Sequence, residues 1–232
     1  NIWVQPAAGD AGGALGAALS VWYLHHKKKR SISKERDSMK GSYLGPQFNE
    51  DEIEAELKKC GSIYKKLAEK DLIEYVASAL ADQQTVGWMQ GRMEFGPRAL
   101  GSRSIIADPR SPSMQKQLNL KIKYRESFRP FAPSVLIEDV HEWFENITES
   151  PYMLLVANVK KEKCHEMTDQ EKSLFGIDKL NIKRSSVPAI THIDYSARIQ
   201  TVHKDTNPLY HSIISKFKEK TGCPMVVNTS FN

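Results

Sequence analysis

The chain combines short apolar runs with longer stretches in which apolar residues recur at helical spacing. Leu72, Val76 and Leu80 lie four residues apart, which predicts a helix over residues 70–81. Acidic residues at 50–52 favour the start of another helix, ending near residue 59, because they complement the helix dipole. Further helices are predicted over 11–24, 112–123, 139–144 and 208–220. Strands are predicted over 1–5, 85–90, 104–107, 132–137, 153–159, 189–193, 197–203 and 224–228.

The order of these elements predicts the fold class and the domains. Strands and helices alternate irregularly, which favours an α/β or α+β fold built on a mixed sheet. Residues 1–24 read as a strand, a turn and a helix with no further strands beside them, and residues 25–41 read as a basic and then polar linker. We therefore predict that residues 1–41 are the end of one domain with its linker, and that residues 42–232 form a second domain. The chain reads as a piece of a longer protein.

Composition narrows the class of protein. Hydrophobic residues make up 40% of the chain and charged residues 26%, as in ordinary globular proteins. The apolar run at 11–24 is too short to span a bilayer. The three cysteines are far apart in the sequence, which argues against a disulfide framework and predicts a reducing, cytoplasmic location. The net charge of +5 arises from 33 basic and 28 acidic residues, a bias too weak to indicate nucleic-acid binding.

A run rich in arginine and glycine follows the strand predicted at 85–90. Residues 91–104 hold Arg98 and Arg103 together with three glycines and a proline. A tight loop can bend two guanidiniums onto one ligand, and each planar guanidinium pairs two oxygens at once. The run therefore indicates a site for phosphate or carboxylate. The alternative is a surface loop held by an ion pair to Glu94.

A second cationic cluster lies at residues 121–130. Lys123, Arg125 and Arg129 are interleaved with aromatic residues and a proline, which indicates a rigid and partly dry environment where charge interactions strengthen. We favour a role in ligand binding for this cluster. The alternative is packing of the cations on Phe128 or Phe131 at the edge of the core.

Three weaker signals lie elsewhere. Asn228, Ser230 and Asn232 follow an apolar strand, where amides and hydroxyls can bind a phosphate or a ribose, although such residues also form ordinary turns. Arg198 is expected at the same sheet edge. Asp10 precedes two glycines at a helix start and could bind a metal, although from the residues alone helix capping is favoured.

His192 and Asp194 lie two residues apart in a predicted strand, which would place both on one face. They could form a metal pair or an acid–base pair. Because no third ligand lies nearby in the sequence, a structural role is favoured for them.

Together these motifs resemble the C-terminal half of the O-carbamoyltransferase family that acts on nodulation factors and antibiotics. The runs that match are residues 5–14, 86–110, 121–135, 191–202 and 227–232. The resemblance implies a YrdC-like domain with a twisted mixed sheet, truncated here at its C-terminus. It also implies that residues 1–41 are the end of an actin-like domain that transfers the carbamoyl group.

The resemblance implies a reaction and a set of site residues. Carbamoyl phosphate and ATP, with Mg²⁺, would give carbamoyl-adenylate, and the carbamoyl group would pass to a hydroxyl of a small molecule or glycoside. Catalytic roles fall to Lys123, Arg98 and Arg103. Substrate-binding roles fall to Arg125, Arg129, Arg198, Asn228, Ser230 and Asn232. Asp10 would be one ligand of an iron ion whose other ligands lie in the preceding domain.

Two rival functions remain open at this point. One is a threonylcarbamoyl-adenylate synthase, which would use bicarbonate and threonine in place of carbamoyl phosphate. The other is a nucleotide- or RNA-binding module, which is disfavoured because the cations cluster at loop ends with glycines and prolines in place of an extended aromatic-interleaved strip.

Overall fold

A computed structural model describes residues 4–31, 37–180 and 182–231. The helices are α1 (Asp10–Ser20), α2 (Glu50–Lys59), α3 (Glu69–Ala81), α4 (Met114–Lys121), α5 (Val140–Trp143), α6 (Asp169–Lys172), α7 (Gly176–Leu180) and α8 (Pro208–Thr221). The strands are β1 (Val86–Met89), β2 (Arg103–Ala107), β3 (Ala132–Leu136), β4 (Leu155–Asn158), β5 (Ser196–Val202) and β6 (Met225–Thr229). A π-helical turn, Val21–His25, continues α1.

Local sequence signals explain several helix ends. Helix α2 starts at a capping box, in which the Asn49 side chain accepts from the Glu52 N–H and the Glu52 carboxylate accepts from the Asn49 N–H. Helix α8 has Pro208 at its first position and ends at Gly222, whose φ of 72° is in the left-handed region that glycine tolerates. These signals set the start of α2 and both ends of α8.

The strands form one six-stranded mixed sheet in the order β1-β2-β6-β3-β5-β4. Strand β6 runs antiparallel to both β2 and β3, whereas β3 and β5 run parallel. Helices α3 and α8 pack on each other, and α8 also contacts β3 and β6. The core contains the fully buried side chains Leu80, Ile106, Ile213 and Phe217. The predicted α/β class with a mixed sheet is confirmed.

The prediction of a strand over residues 189–193 is wrong. The chain turns there, because the Ile190 N–H and the Thr191 hydroxyl both donate to the Val187 carbonyl. Ala189 and Ile190 are nevertheless buried, so the apolar run reflects burial of a turn. The strand predicted at 1–5 lies partly outside the described residues, and Val4 and Gln5 are not in a strand.

Helix α1, like α2, is largely exposed, in contrast to α3 and α8. None of its described residues is buried, and Trp22 and Leu24 in the turn that follows are also exposed. Within the described ranges, no helix has both the length and the apolar character needed to cross a membrane.

Gly101 provides a test of the packing beside the sheet. Its φ is +100°, and a Cβ placed on it would overlap the ring of Tyr210. We predict that Gly101→Ala lowers the free energy of unfolding by about 3 kcal/mol or more, from backbone strain and overpacking together. Urea unfolding of the 232-residue chain measures this.

Gly61→Ala is the matched control, since Gly61 has a φ of +63° and no atom near its Cβ position. It carries the backbone cost alone, about 1 kcal/mol. Equal losses in the two variants would contradict the packing of Gly101 on Tyr210.

Candidate anion-binding site

The site is built on the loop between β1 and β2, which a single buried carboxylate organises. Glu94 is 5% exposed. Its Oε1 accepts hydrogen bonds from the N–H groups of Leu100 (2.7 Å), Ser102 (2.8 Å) and Arg103 (3.1 Å). The alternative of a surface loop held by an ion pair to Glu94 is therefore wrong. The carboxylate binds the backbone of its own loop, which we call the Glu94 loop (residues 94–103).

The carbonyl groups of the Glu94 loop are also paired. They accept hydrogen bonds from Asn228 Nδ2 (to Ala99 O, 2.9 Å), Gln200 Nε2 and Tyr43 Oη (to Leu100 O, 2.8 and 2.7 Å), and Trp88 Nε1 and Gln90 Nε2 (to Gly101 O, 3.1 and 2.8 Å). Because these donors and acceptors at residues 99–103 are paired within the protein, this part of the loop is held in place without a ligand.

The segment before α2 lies against the Glu94 loop. The N–H of Phe95 donates to the Ser42 carbonyl (2.6 Å), and Gly45 and Met93 are joined by an N–H to carbonyl bond (2.9 Å). The Asp37 carboxylate accepts from the Tyr152 hydroxyl. The boundary predicted between residues 41 and 42 therefore falls inside a segment that contacts the site.

A pocket of about 290 Å³ opens between this loop, strand β6 and the turn after α4. Its lining brings together four cations, three polar residues that follow or belong to β6, and a few apolar groups. The cations are Arg98, Lys123, Arg125 and Arg198; the polar residues are Asn228, Thr229 and Ser230. Among the described lining residues there is no carboxylate. This arrangement suits a ligand with several negative charges.

Arg198 and Arg98 approach the pocket from different elements. Arg98 is exposed on the Glu94 loop, whereas Arg198 is half-buried on β5. Burial lowers the pKa of Arg198, and the nearby charge of Arg98 lowers it further. The Nε atom of Arg198 is buried and has no hydrogen-bond partner. A bound anion would relieve both the repulsion and the desolvation.

Lys123 lies on the opposite side, at the end of α4. Its ammonium donates to the Ser230 carbonyl and lies 3.4 Å from the Ser230 hydroxyl. Burial lowers the pKa of Lys123, and the charge of Arg125 adds to that effect. The pairing of Lys123 with Ser230 joins two of the motifs that the sequence singled out.

Arg125 is held by one residue that the sequence analysis missed. Its Nε donates to Asn119 Oδ1 (2.6 Å), and its guanidinium lies over the Phe131 ring at 5.0 Å. Asn119 is fully buried on α4, and its amide also donates to the carbonyls of Ser127 (3.1 Å) and Arg129 (2.8 Å). A polar residue between Leu118 and Leu120 is a signal that could have identified it. The cation–aromatic packing considered as the alternative coexists with the pocket.

Other predicted residues lie outside the pocket. The Arg103 guanidinium donates to four backbone carbonyls, those of Pro46, Gln90, Gly91 and Ser102. Arg129 is exposed and forms an ion pair with Glu126 (3.4 Å). Arg103 thus ties the Glu94 loop to its neighbours, and the structure does not bring these two cations into the pocket. Asn232 lies outside the described residues.

The remaining candidate residues, Asp10, His192 and Asp194, do not form a metal centre among the described residues. Asp10 is exposed in the first turn of α1, and the cap position is Gly9, so the capping interpretation of Asp10 is wrong. His192 and Asp194 both bind the Ser196 hydroxyl, at 3.0 and 2.6 Å, within a turn. Among the described residues, no group of three or more His, Cys, Asp or Glu side chains could hold a metal ion.

Fold and pocket together define a mixed α/β protein with a cationic pocket. A family model described as Carbamoyltransferase C-terminus matches residues 77–232, which is more than half of the chain. The chain belongs to this carbamoyltransferase family, and the family prediction made from the sequence is confirmed.

Curated relatives match the chain over its whole length. It is 58% identical to uncharacterized protein sll1178 of Synechocystis sp., over 100% of this chain and 38% of that protein. It is 40% identical to nodulation protein NolNO of Sinorhizobium fredii, over 100% of this chain and 31% of that protein. It is 32% identical to 3'-hydroxymethylcephem-O-carbamoyltransferase of Streptomyces clavuligerus, over 100% of this chain and 37% of that protein. The chain thus spans about a third of the length of these relatives.

The lowered pKa of Lys123 predicts how anion binding depends on pH. Only the protonated ammonium attracts an anion, so affinity falls as pH rises through the pKa of Lys123. Because that pKa lies below its ordinary value, the fall begins at a lower pH than for an exposed lysine. Calorimetric titration with inorganic pyrophosphate from about pH 7 to about pH 10.5 measures the change.

Lys123→Arg is the control, because arginine stays charged over this range while the ionisation of pyrophosphate itself is unchanged. We expect a flatter affinity profile for Lys123→Arg than for the wild type. Identical profiles would contradict a role for the Lys123 charge in anion binding.

Proposed function

We propose that this pocket forms carbamoyl-adenylate from carbamoyl phosphate and ATP, as the first half of an O-carbamoyl transfer. The observation that supports the proposal most is the convergence of Arg98, Lys123, Arg125 and Arg198 on one pocket in a chain of the carbamoyltransferase family. Carbamoyl phosphate and ATP together bring many phosphate oxygens to one site. Such a site needs several fixed cations and no carboxylate among them.

The proposed reaction has two steps. Water hydrolyses the mixed anhydride of carbamoyl phosphate to carbamate and inorganic phosphate, and a carbamate oxygen then forms a bond to the α-phosphorus of ATP. The bond from the α-phosphorus to the bridging oxygen breaks, and pyrophosphate leaves. Charge develops on the transferring phosphoryl group and on the leaving pyrophosphate, so fixed cations stabilise the transition state.

The roles follow from placement. Arg98, at the exposed rim, and Lys123, at the inner wall, would hold the phosphates that leave. Arg125 would hold a third phosphate, in the orientation set by Asn119. Mg²⁺ would supply further charge neutralisation while bound to the nucleotide phosphates, since the described lining offers it no carboxylate.

Transfer to the acceptor would take place in another part of the protein. We propose that the described domain is YrdC-like, that residues 1–41 close an actin-like domain, and that the acceptor is a hydroxyl of a small molecule or glycoside. Asp10 is exposed and belongs to no group of three or more ligand-type side chains among the described residues, so by itself it does not fit an iron ion. A cytoplasmic location is in keeping with three free cysteines.

The test is ATP–pyrophosphate exchange in the full-length protein. We predict exchange that depends on carbamoyl phosphate, reduced roughly 100-fold or more by Arg98→Ala and by Lys123→Ala, because each removes one of the fixed cations that would stabilise the transition state. Lys116→Ala removes an exposed lysine from α4, outside the pocket, and is expected to leave exchange unchanged.

Absence of exchange with carbamoyl phosphate would contradict the proposal. Exchange that requires bicarbonate and threonine would instead establish the threonylcarbamoyl-adenylate synthase. Salt-sensitive RNA binding without ATP turnover would establish the binding module.

A further inference from the structure

The orientation of two buried side-chain amides, those of Asn228 and Gln200, determines which hydrogen-bonding atoms are left for a ligand in the pocket. The carbonyls of Ala99 and Leu100 can only accept, so Asn228 must direct its Nδ2 at the first (2.9 Å) and Gln200 its Nε2 at the second (2.8 Å). Gln200 Oε1 then accepts from Asn228 Nδ2 (2.8 Å) and from the Ser134 hydroxyl (2.5 Å). Neither amide can flip without losing this whole network.

This orientation leaves one acceptor without a partner. Asn228 is 2% exposed and lines the pocket, yet its Oδ1 has no hydrogen bond. A phosphate oxygen cannot satisfy it, because both atoms only accept. A ligand group that carries an N–H or O–H would supply the hydrogen bond that Oδ1 lacks.

A buried donor without a hydrogen-bond partner, Arg198 Nε, lies across the sheet from Asn228. Asn228 pairs with Ala132 across β6 and β3, and Ser134 pairs with Gln200, so continuing that register by two residues places Ala132 beside Arg198. The three side chains share one face, with the small Ala132 in the middle. Strands β6 and β5, which carry Asn228 and Arg198 on either side of β3, are about 10 Å apart, since neighbouring strands lie about 4.8 Å apart. Arg198 Nε is buried and unpartnered at the far side.

We propose that Asn228 Oδ1 and Arg198 Nε form a subsite for the carbamoyl amide, above the methyl group of Ala132. The amide nitrogen would donate to Asn228 Oδ1, and the carbonyl oxygen would accept from Arg198. This planar group carries a donor and an acceptor side by side, which is the complement of the two unpartnered atoms. Asn228 is therefore the residue that selects a carbamoyl group over an acyl group.

The inference rests on the proposed function and adds a claim about specificity to it. An acetyl group has the same shape but bears a methyl in place of the amide nitrogen, so it would leave Asn228 Oδ1 unpaired and buried. Sites built to hydrogen-bond an N–H reject analogues that lack it, because the buried polar atom then has no partner.

The experiment compares carbamoyl phosphate with acetyl phosphate as ligands of the full-length protein. We expect the wild type to bind carbamoyl phosphate roughly 10- to 100-fold more tightly. Asn228→Ala should reduce this preference to about 2-fold or less, since no acceptor remains to distinguish the ligands. Pyrophosphate affinity, measured alongside, reports whether the phosphate-binding residues remain in place.

Asn228→Ala also removes the hydrogen bond to the Ala99 carbonyl and could disturb the fold. A second variant therefore tests the subsite with the amide network intact. Ala132→Val keeps the amide network and places methyl groups where the carbamoyl group would lie. It should lower carbamoyl phosphate affinity by roughly 10-fold or more, through steric overlap, while pyrophosphate affinity stays within about 2-fold.

The outcomes separate the two claims. Failure of the wild type to bind carbamoyl phosphate would overturn the proposed function and this inference together. Binding of carbamoyl and acetyl phosphate with equal affinity, or unchanged carbamoyl phosphate binding by Ala132→Val, would overturn the inference alone. A loss of ATP affinity in Asn228→Ala with the preference intact would assign Oδ1 to a nucleotide hydroxyl or amine and would also overturn it.

Discussion

The buried carboxylate of Glu94 is the constraint on which the site depends. One carboxylate oxygen accepts from three backbone N–H groups of its own loop, and several side chains bind the carbonyls between them. Without Glu94 those N–H groups would be buried and unpaired, at a cost of about 1–3 kcal/mol each. The loop therefore holds Arg98 at the pocket rim through its backbone, independently of any ligand.

This rigidity matters because the pocket concentrates positive charge. Arg98 and Arg198 repel each other, and burial of Lys123 and Arg125 adds desolvation. A flexible loop would relax by moving its arginine into solvent. The amide groups of Asn119 and Asn228 bind backbone carbonyls and hold this part of the structure in place. Because amides are neutral, they do not cancel the positive charge that would attract an anion.

The fold and the site differed in how far the sequence could predict them. Helix α3 was predictable because burial of one face leaves a periodic trace, and the central strands β3 and β6, which are buried on both faces, were predictable as short apolar runs. The turn at residues 189–193 was not, since a buried turn and a buried strand are equally apolar. Nor could the sequence distinguish Arg103, which binds backbone carbonyls, from Arg98, which lines the pocket. Those roles depend on hydrogen bonds between residues distant in sequence, as does the role of Glu94.

The Glu94 loop is formed before any ligand binds, and amide hydrogen exchange tests this most directly. The N–H groups of Leu100, Ser102 and Arg103 should exchange slowly without ligand, and added pyrophosphate should leave their protection unchanged. Exchange of these amides as fast as that of exposed turns, with protection gained only when pyrophosphate binds, would show that the Glu94 loop forms only around the ligand.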